Sequence, residues 1–395
     1  MSTLTPHQRE AVDRTKLLMK LKSIVRFCGF GGTGKTTAAK TLGDEIAAEG
    51  REVIYVAPTH KANEVLRYKG IRDPQIIQRA VYQNRLINGD DCMAAELTMK
   101  RLWYDQKHPD YVAASKIIPQ YERTKLPYDP NRVFIIDEAS MLTEEQLLDA
   151  ADVAGNIILV GDPAQLPPVS GKPVLFEGEH DICLTEPHRQ GDELFLVAQQ
   201  IRNTGQFPKG IGSHYSMLKP GGLSIAELCD KSKIICATNL HRVSYNRKIR
   251  EFLGFTHPLP QVDEVVMLFQ SHGNIRSDDG SKIVSLHNGR EFVVRGVNYT
   301  EHTIQLSPVF NLDIRLPWLP FYPDEVSKAQ HNTRFSDEHP GKPRTLNLDY
   351  CYVITCHKAQ GSEWDSVVIK DGYAKDRKRW AYTAATRARK ELIVI

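Results

Sequence analysis

Gly29-Phe-Gly-Gly-Thr-Gly34-Lys35-Thr36 decides the fold of this 395-residue chain. It lies between the apolar run Ile24-Val-Arg-Phe-Cys28 and a helical stretch over residues 35–49, closed by Gly50. The stretch fits the spacing G-x-x-x-x-G-K-[ST]. Such glycines let backbone N–H groups converge on phosphate oxygens, and the start of the following helix adds a favourable partial charge. Gly29, Gly31, Gly32, Thr33, Gly34, Lys35, Thr36 and Thr37 are therefore assigned to ATP. Lys35 would reach the β/γ-phosphates and Thr36 would hold Mg²⁺.

Working outward, apolar runs at 52–57, 132–136 and 156–160 alternate with helical stretches. That alternation predicts an α/β fold, a parallel sheet with helices on both faces. Residues 58–131 are more than one crossover helix needs. Their later part interleaves Trp103, Tyr104, Tyr111, Tyr121 and Tyr128 with Lys100, Arg101, Lys107, Lys116, Arg123 and Lys125, and reads as an insert. A second α/β pattern starts near residue 185 with a run at 233–238, and resumes at 350–355, 366–369 and 391–395. Between them, short runs at 265–269, 282–286, 291–297, 303–306 and 312–316 predict strands of a small β-barrel, with Asn288-Gly289 as a hairpin signal. Leu-Pro-Trp-Leu-Pro-Phe-Tyr-Pro at 316–323 is stiff and apolar. It either packs on its own barrel or presents its rings as a contact surface. The expected organisation is one domain from 1–80 with 129–184, interrupted by 81–128, and a second from 185–260 with 346–395, interrupted by 261–345.

The composition is 41% apolar and 25% charged, which excludes a mainly disordered, collagen-like or coiled-coil chain. No run approaches the roughly 18 apolar residues of a membrane span. A net charge of +3, from 51 Lys+Arg against 48 Asp+Glu, leaves only a local groove for nucleic acid. Residues 1–16 carry no apolar signal core, and the seven scattered cysteines read as reduced thiols. A cytoplasmic protein is expected, in a bacterial or phage-infected cell.

Val133-Phe-Ile-Ile-Asp137-Glu138 ends an apolar run in two carboxylates, which would set Asp137 beside the magnesium and Glu138 beside an attacking water as general base. Gly161-Asp-Pro-Ala-Gln165 follows the next run, and Gln165 suits a water- or phosphate-sensing role. Arg189 and Arg387 read from spacing alone first as surface salt-bridge arginines and second as candidates to stabilise charge on a γ-phosphoryl group. Taken alone, a P-loop with Asp137 also fits a kinase-type phosphotransferase. That reading leaves the later segments unused.

In this order the segments resemble superfamily 1 DNA helicases, in the RecD-like and phage Dda-like 5′→3′ branch. Leu4-Thr-Pro-His-Gln8 resembles the adenine-side Q motif, Ala57-Pro-Thr-His-Lys61-Ala motif Ia, and Asp137-Glu138-Ala-Ser motif II. Gly161–Gln165 resembles motif III, the Arg189 segment motif IV, His357-Lys358-Ala-Gln360-Gly-Ser-Glu363 motif V, and Tyr382-Thr-Ala-Ala-Thr-Arg387-Ala motif VI. The family's Thr-x-His segment between motifs Ia and II has no clear counterpart; the nearest stretch is residues 76–82. The resemblance implies two RecA-like domains, 1A and 2A, with 81–128 as a 1B wedge or pin and 261–345 as an SH3-like 2B barrel. It implies that Arg189 and Arg387 face ATP across the cleft and that Gln8 lies on the adenine side. It also implies that Pro58, Thr59, His60, Lys61, Thr355, His357 and Lys358 contact single-stranded DNA. Single-stranded DNA and duplex junctions are the implied substrates, single-strand-binding or replication proteins further partners, and a monomer the implied state. A non-unwinding ATPase driven by single-stranded DNA is the near alternative.

Overall fold

The computed structural model describes residues 4–86, 88–101, 108–114, 117, 121–175, 180–186, 193–321 and 345–395. Two parallel sheets carry the chain. The first has the spatial order Gln75–Ile76, Glu52–Ala57, Asp129–Ile136, Ala154–Gly161, Ile24–Gly29 and Ile182–Leu184, every pairing parallel. Val133, Phe134, Ile135 and Ile136 are all buried, because helices cover both faces and leave no polar side to the strand. Helix starts are set by side chains. Thr5 and Gln8 form a capping box on Pro6–Leu18, Thr143 and Gln146 do so on Glu144–Ala151, and Thr59 caps His60–Tyr68. Each cap contributes roughly 0.5–2 kcal/mol. Since parallel strands share one carboxyl edge, the segments after Gly29, Ala57, Ile136 and Gly161 all emerge together there.

The second sheet has the order Val353–Thr355, Lys233–Cys236, Trp364–Lys370, Ala388–Val394 and Tyr215–Met217, again parallel throughout. The run expected at 233–238 stops at Cys236 because Thr238 caps the helix Asn239–Phe252. The run expected at 350–355 divides between two sheets, Leu348–Tyr350 in the β-rich unit and Val353–Thr355 here. Among the described residues no helix is long and apolar enough to cross a membrane.

Two segments leave these sheets. In the first, Tyr82–Leu86 pairs antiparallel with Tyr121–Lys125, with helices Gly89–Arg101 and Pro109–Ala114 between them. Its root is tied to Glu144–Ala151 and the residue that ends it. The Tyr82 hydroxyl donates to Asp149 at 2.6 Å, and Lys125 Nζ lies 2.6 Å from both Asp149 and Asp152. Trp103, Tyr104, Lys107 and Lys116 lie outside the described residues.

The second segment forms an antiparallel sheet in the order Leu319–Pro320, Thr303–Pro308, Glu291–Asn298, Val265–Leu268, Leu348–Tyr350. A separate pair joins Gly273–Arg276 to Ile283–Leu286. Two expectations change here, and a third is decided between its two readings. Asn288-Gly289 does turn, but its flanking strands pair with different partners, so it joins two sheets instead of closing a hairpin. Residues 312–316 form no strand: Leu316 N–H reaches Leu306 O at 2.8 Å, and Pro317 then supplies no donor to continue the ladder. Leu316, Leu319 and Phe321 are buried in this unit's own core with Val266, Phe292 and Leu306, so the described part of the stiff segment packs on its own unit. Trp318 is half-exposed, its ring against Gly296, and Tyr322 and Pro323 lie outside the described residues.

A buried ion pair anchors this unit to the second domain. Arg250 Nε donates to Glu264 Oε1 at 2.6 Å and Arg250 Nη2 to Glu264 Oε2 at 3.0 Å, and Nη2 also reaches the His257 and Leu259 carbonyls. Glu264 is wholly buried. Glu264→Ala would leave a buried guanidinium without its anion and is expected to cost about 3–5 kcal/mol. Urea unfolding checks this, with Arg250→Met/Glu264→Leu expected to recover most of the loss.

Candidate functional site

The site is built from the carboxyl edge of the first sheet. Gly34 precedes the helix Lys35–Ala48 in the left-handed region (φ 76°), which only glycine adopts freely and which turns the loop amides inward. Lys35 Nζ donates to the Phe30 carbonyl of its own loop at 2.9 Å, so the ammonium is held over the phosphate cradle. Gln8 serves two contacts: its Oε1 accepts from Thr5 N–H, completing the cap, and its Nε2 donates to Thr33 O at 3.0 Å. Gly29, Gly31, Gly32 and Thr33 form the rest of the loop, and Thr37 follows Thr36 in the first helical turn.

Thr36 Oγ1 donates to Asp137 Oδ2 at 3.0 Å, while Asp137 Oδ1 accepts from Glu138 N–H at 2.9 Å. A hydroxyl and a carboxylate so close are oxygen ligands of the kind Mg²⁺ takes alongside substrate phosphates, so the donor set fits that ion. Glu138 holds φ 52° and ψ 38°, an uncommon conformation for a residue with a side chain, and one that concentrates at functional positions. Burial raises the Glu138 carboxyl above its ordinary value. Asp137 adds to the rise, and the charges of Arg387 and Lys35 oppose it. Gln165 is buried, and its Oε1 has no hydrogen-bond partner. An unpaired amide oxygen at the strand edge can accept a hydrogen bond from a water.

The second sheet closes over this edge. Leu166 N–H donates to Thr383 Oγ1 at 2.8 Å, and Gln360 Nε2 donates to Leu166 O at 2.8 Å. The Gly31 N–H donates to the Tyr382 hydroxyl at 3.1 Å. Arg387 is buried and anchored by Nε to Thr383 O (3.0 Å), Nη1 to Ser362 O (3.3 Å) and Nη2 to Thr386 Oγ1 (2.9 Å). Its charge still acts on Glu138 across the cleft. Arg189 lies outside the described residues.

The residues singled out for single-stranded DNA lie at two strand ends. Pro58, Thr59, His60 and Lys61 follow Glu52–Ala57; Thr355 ends its strand, and His357 and Lys358 follow it. The Thr59 hydroxyl is used as a cap, accepting from Ala62 N–H at 3.2 Å. His60 stacks on His287 with ring centroids 5.0 Å apart, and both burial and that neighbour lower its affinity for a proton. Lys61 Nζ is buried without a hydrogen bond, 5.1 Å above the Trp364 ring, and burial lowers its pKa. Lys358 Nζ donates to Asn288 Oδ1 at 2.6 Å, whereas His357 is exposed. Thr355 is partly exposed at the start of a short helix. The loop 287–290 thus joins the two sets, with His287 Nε2 3.1 Å from Glu64. The sequence reading passed over His287, Glu64, Trp364 and the Tyr382 hydroxyl. Asn288-Gly289 marked the turn, but nothing local marked its neighbours.

Fold and site together define a P-loop nucleotide-binding protein with two RecA-like parallel sheets. A family model described as AAA domain matches residues 3–216, more than half of the chain, and the chain belongs to that family; a UvrD-like helicase C-terminal domain model matches residues 350–395. The chain is 25% identical over 391 residues to the ATP-dependent RecD2 DNA helicase of Deinococcus radiodurans, covering 93% of this chain and 46% of that one. It therefore spans about half the length of that curated relative. Among solved structures, Bacteroides Pif1 bound to ssDNA aligns with a TM-score of 0.54 at 16% identity, over 100% of this chain and 92% of that chain. The Bacteroides Pif1 complex with ADP-AlF3 and ssDNA aligns at 0.54 and 17% identity, over the same shares. These likenesses show the fold.

Proposed function

We propose that the chain is an ATP-driven DNA helicase that translocates 5′→3′ on single-stranded DNA. The meeting of Thr36, Asp137 and Glu138 at one sheet edge, with Arg387 held opposite, supports the ATP-hydrolysing part of this reading; helicase action and direction rest on the ordered motifs and the likeness to RecD2. Glu138 takes the proton of a water attacking the γ-phosphorus. Lys35 and Arg387 stabilise the charge that develops there, with Arg189 as a second arginine, and Gln165 contacts the water or phosphate. Thr36 and Asp137 would hold Mg²⁺, which supplies charge neutralisation on the phosphates. Gln8 lies on the adenine side. Nucleotide binding closes the cleft and hydrolysis reopens it.

The grip on DNA comes from the two strand ends, 58–61 and 355–358, which belong to different domains and so move relative to one another. On this reading 1–80 with 129–184 is domain 1A, 81–128 the 1B wedge, 185–260 with 346–395 domain 2A, and 261–345 an SH3-like 2B unit. The substrates are single-stranded DNA and duplex junctions, with replication or single-strand-binding proteins as further partners. The protein acts as a cytoplasmic monomer.

ATP hydrolysis measured with and without single-stranded DNA tests this reading. Strong stimulation, with the phosphate released free, is expected. Phosphate delivered instead to a small-molecule acceptor would make the chain a phosphotransferase.

A further inference from the structure

The second domain hydrogen-bonds the phosphate loop through the Tyr382 hydroxyl. Tyr382 Oη accepts from Gly31 N–H at 3.1 Å and donates to Asp162 Oδ2 at 2.7 Å, while Asp162 Oδ1 accepts from Ala164 N–H at 3.1 Å. The ring is buried in the second domain's core beside Trp380 and Ala381. Burial and the adjacent Asp162 hold the phenol protonated well above its ordinary range, so it stays a donor to Asp162.

Gly31 supplies a second, independent observation. It is not among the glycines with positive φ, so its backbone does not require glycine. A Cβ there would stand 2.9 Å from Thr386 Cγ2, closer than such atoms pack, and 3.3 Å from Thr386 Cβ, a tight contact that a small shift relieves. What excludes a side chain is the approach of the second domain. Thr386 in turn accepts from Arg387 Nη2. Gly31, Tyr382, Thr386 and Arg387 are thus linked from the phosphate loop to the arginine opposite Glu138, across the end of the helix Arg377–Ala385.

We infer that Tyr382 is a positioning residue: its hydroxyl, docked on Gly31 and Asp162, sets the register at which Arg387 addresses the γ-phosphate. Tyr382 does not touch the reacting atoms. It fixes the helix end from which Arg387 projects, and Gly31 provides the space for that docking. This rests on the ATPase reading above.

Tyr382→Phe keeps the ring and removes both hydrogen bonds. The kcat of DNA-stimulated hydrolysis is expected to fall about tenfold, or 1.4 kcal/mol. The KM for ATP should stay within about twofold, because Lys35, Thr36 and the loop amides other than Gly31 are untouched. Asp162→Asn should add little in the double variant, since both changes break one network. Gly31→Ala is expected to lower kcat similarly. Thr386→Ser should restore it, removing Cγ2 while keeping the hydroxyl that holds Arg387. Wild-type kcat in Tyr382→Phe, a raised KM at unchanged kcat, or a Gly31→Ala defect that Thr386→Ser does not repair would each overturn the inference. Should Tyr382→Phe fail to fold, the Gly31→Ala and Thr386→Ser pair decides alone. Absence of ATP hydrolysis by the wild-type protein would instead overturn the ATPase reading itself.

Discussion

Lys35→Ala is expected to abolish DNA-stimulated ATP hydrolysis, with kcat lower by about 10²–10³-fold or more. Lys35 Nζ already sits over the loop, on the Phe30 carbonyl, and a lysine at this place in a P-loop reaches the β- and γ-phosphates. Alanine leaves the helix start and the loop amides in place. The fold should therefore survive, with circular dichroism and the unfolding midpoint close to wild type. Steady-state phosphate release checks the loss, and substantial turnover in this variant would end the P-loop assignment.

Glu138→Gln should separate binding from chemistry. The amide keeps shape and left-handed backbone but takes no proton, so ATP binds with a Kd within a few fold while kcat falls by roughly 10²–10⁴. The pH profile gives the same prediction a second readout. Burial, reinforced by Asp137, raises the Glu138 carboxyl, and a general base works only when ionised. As pH falls through the raised value the base is protonated and kcat drops. The acid limb of wild-type kcat should therefore lie above the ordinary glutamate value of about 4.3. That limb should be missing from the residual activity of Glu138→Gln. Loss of ATP binding in the variant would make Glu138 structural.

The sheet cores were legible because parallel strands covered on both faces are written as unbroken apolar runs, as in Val133–Ile136, and because the phosphate loop needs glycine at fixed spacing. Motifs at strand ends then converge by topology alone, which is how residues as distant as Thr36 and Asp137 could be paired from spacing. The β-rich unit was less legible. Its strands are short, and Asn288-Gly289 specifies a turn without specifying which strands it serves. Composition left residues 316–323 open between a contact surface and the unit's own core, and Leu316, Leu319 and Phe321 face inward because a small β-rich unit needs such side chains to fill its core. The contacts that join the domains were not legible at all. Tyr382 and Gly31 are 351 positions apart, and neither residue type signals the other. Lys61 reads in sequence as an exposed cation, whereas tertiary packing lays it on Trp364.

Unwinding of 5′-tailed, 3′-tailed and blunt duplexes, each with and without ATP, tests the central claim most directly. Separation of the 5′-tailed duplex, dependent on ATP and absent in Lys35→Ala, is the predicted result. ATP hydrolysis without unwinding of any duplex would contradict a helicase, and equal or better unwinding of the 3′-tailed duplex would contradict the assigned direction.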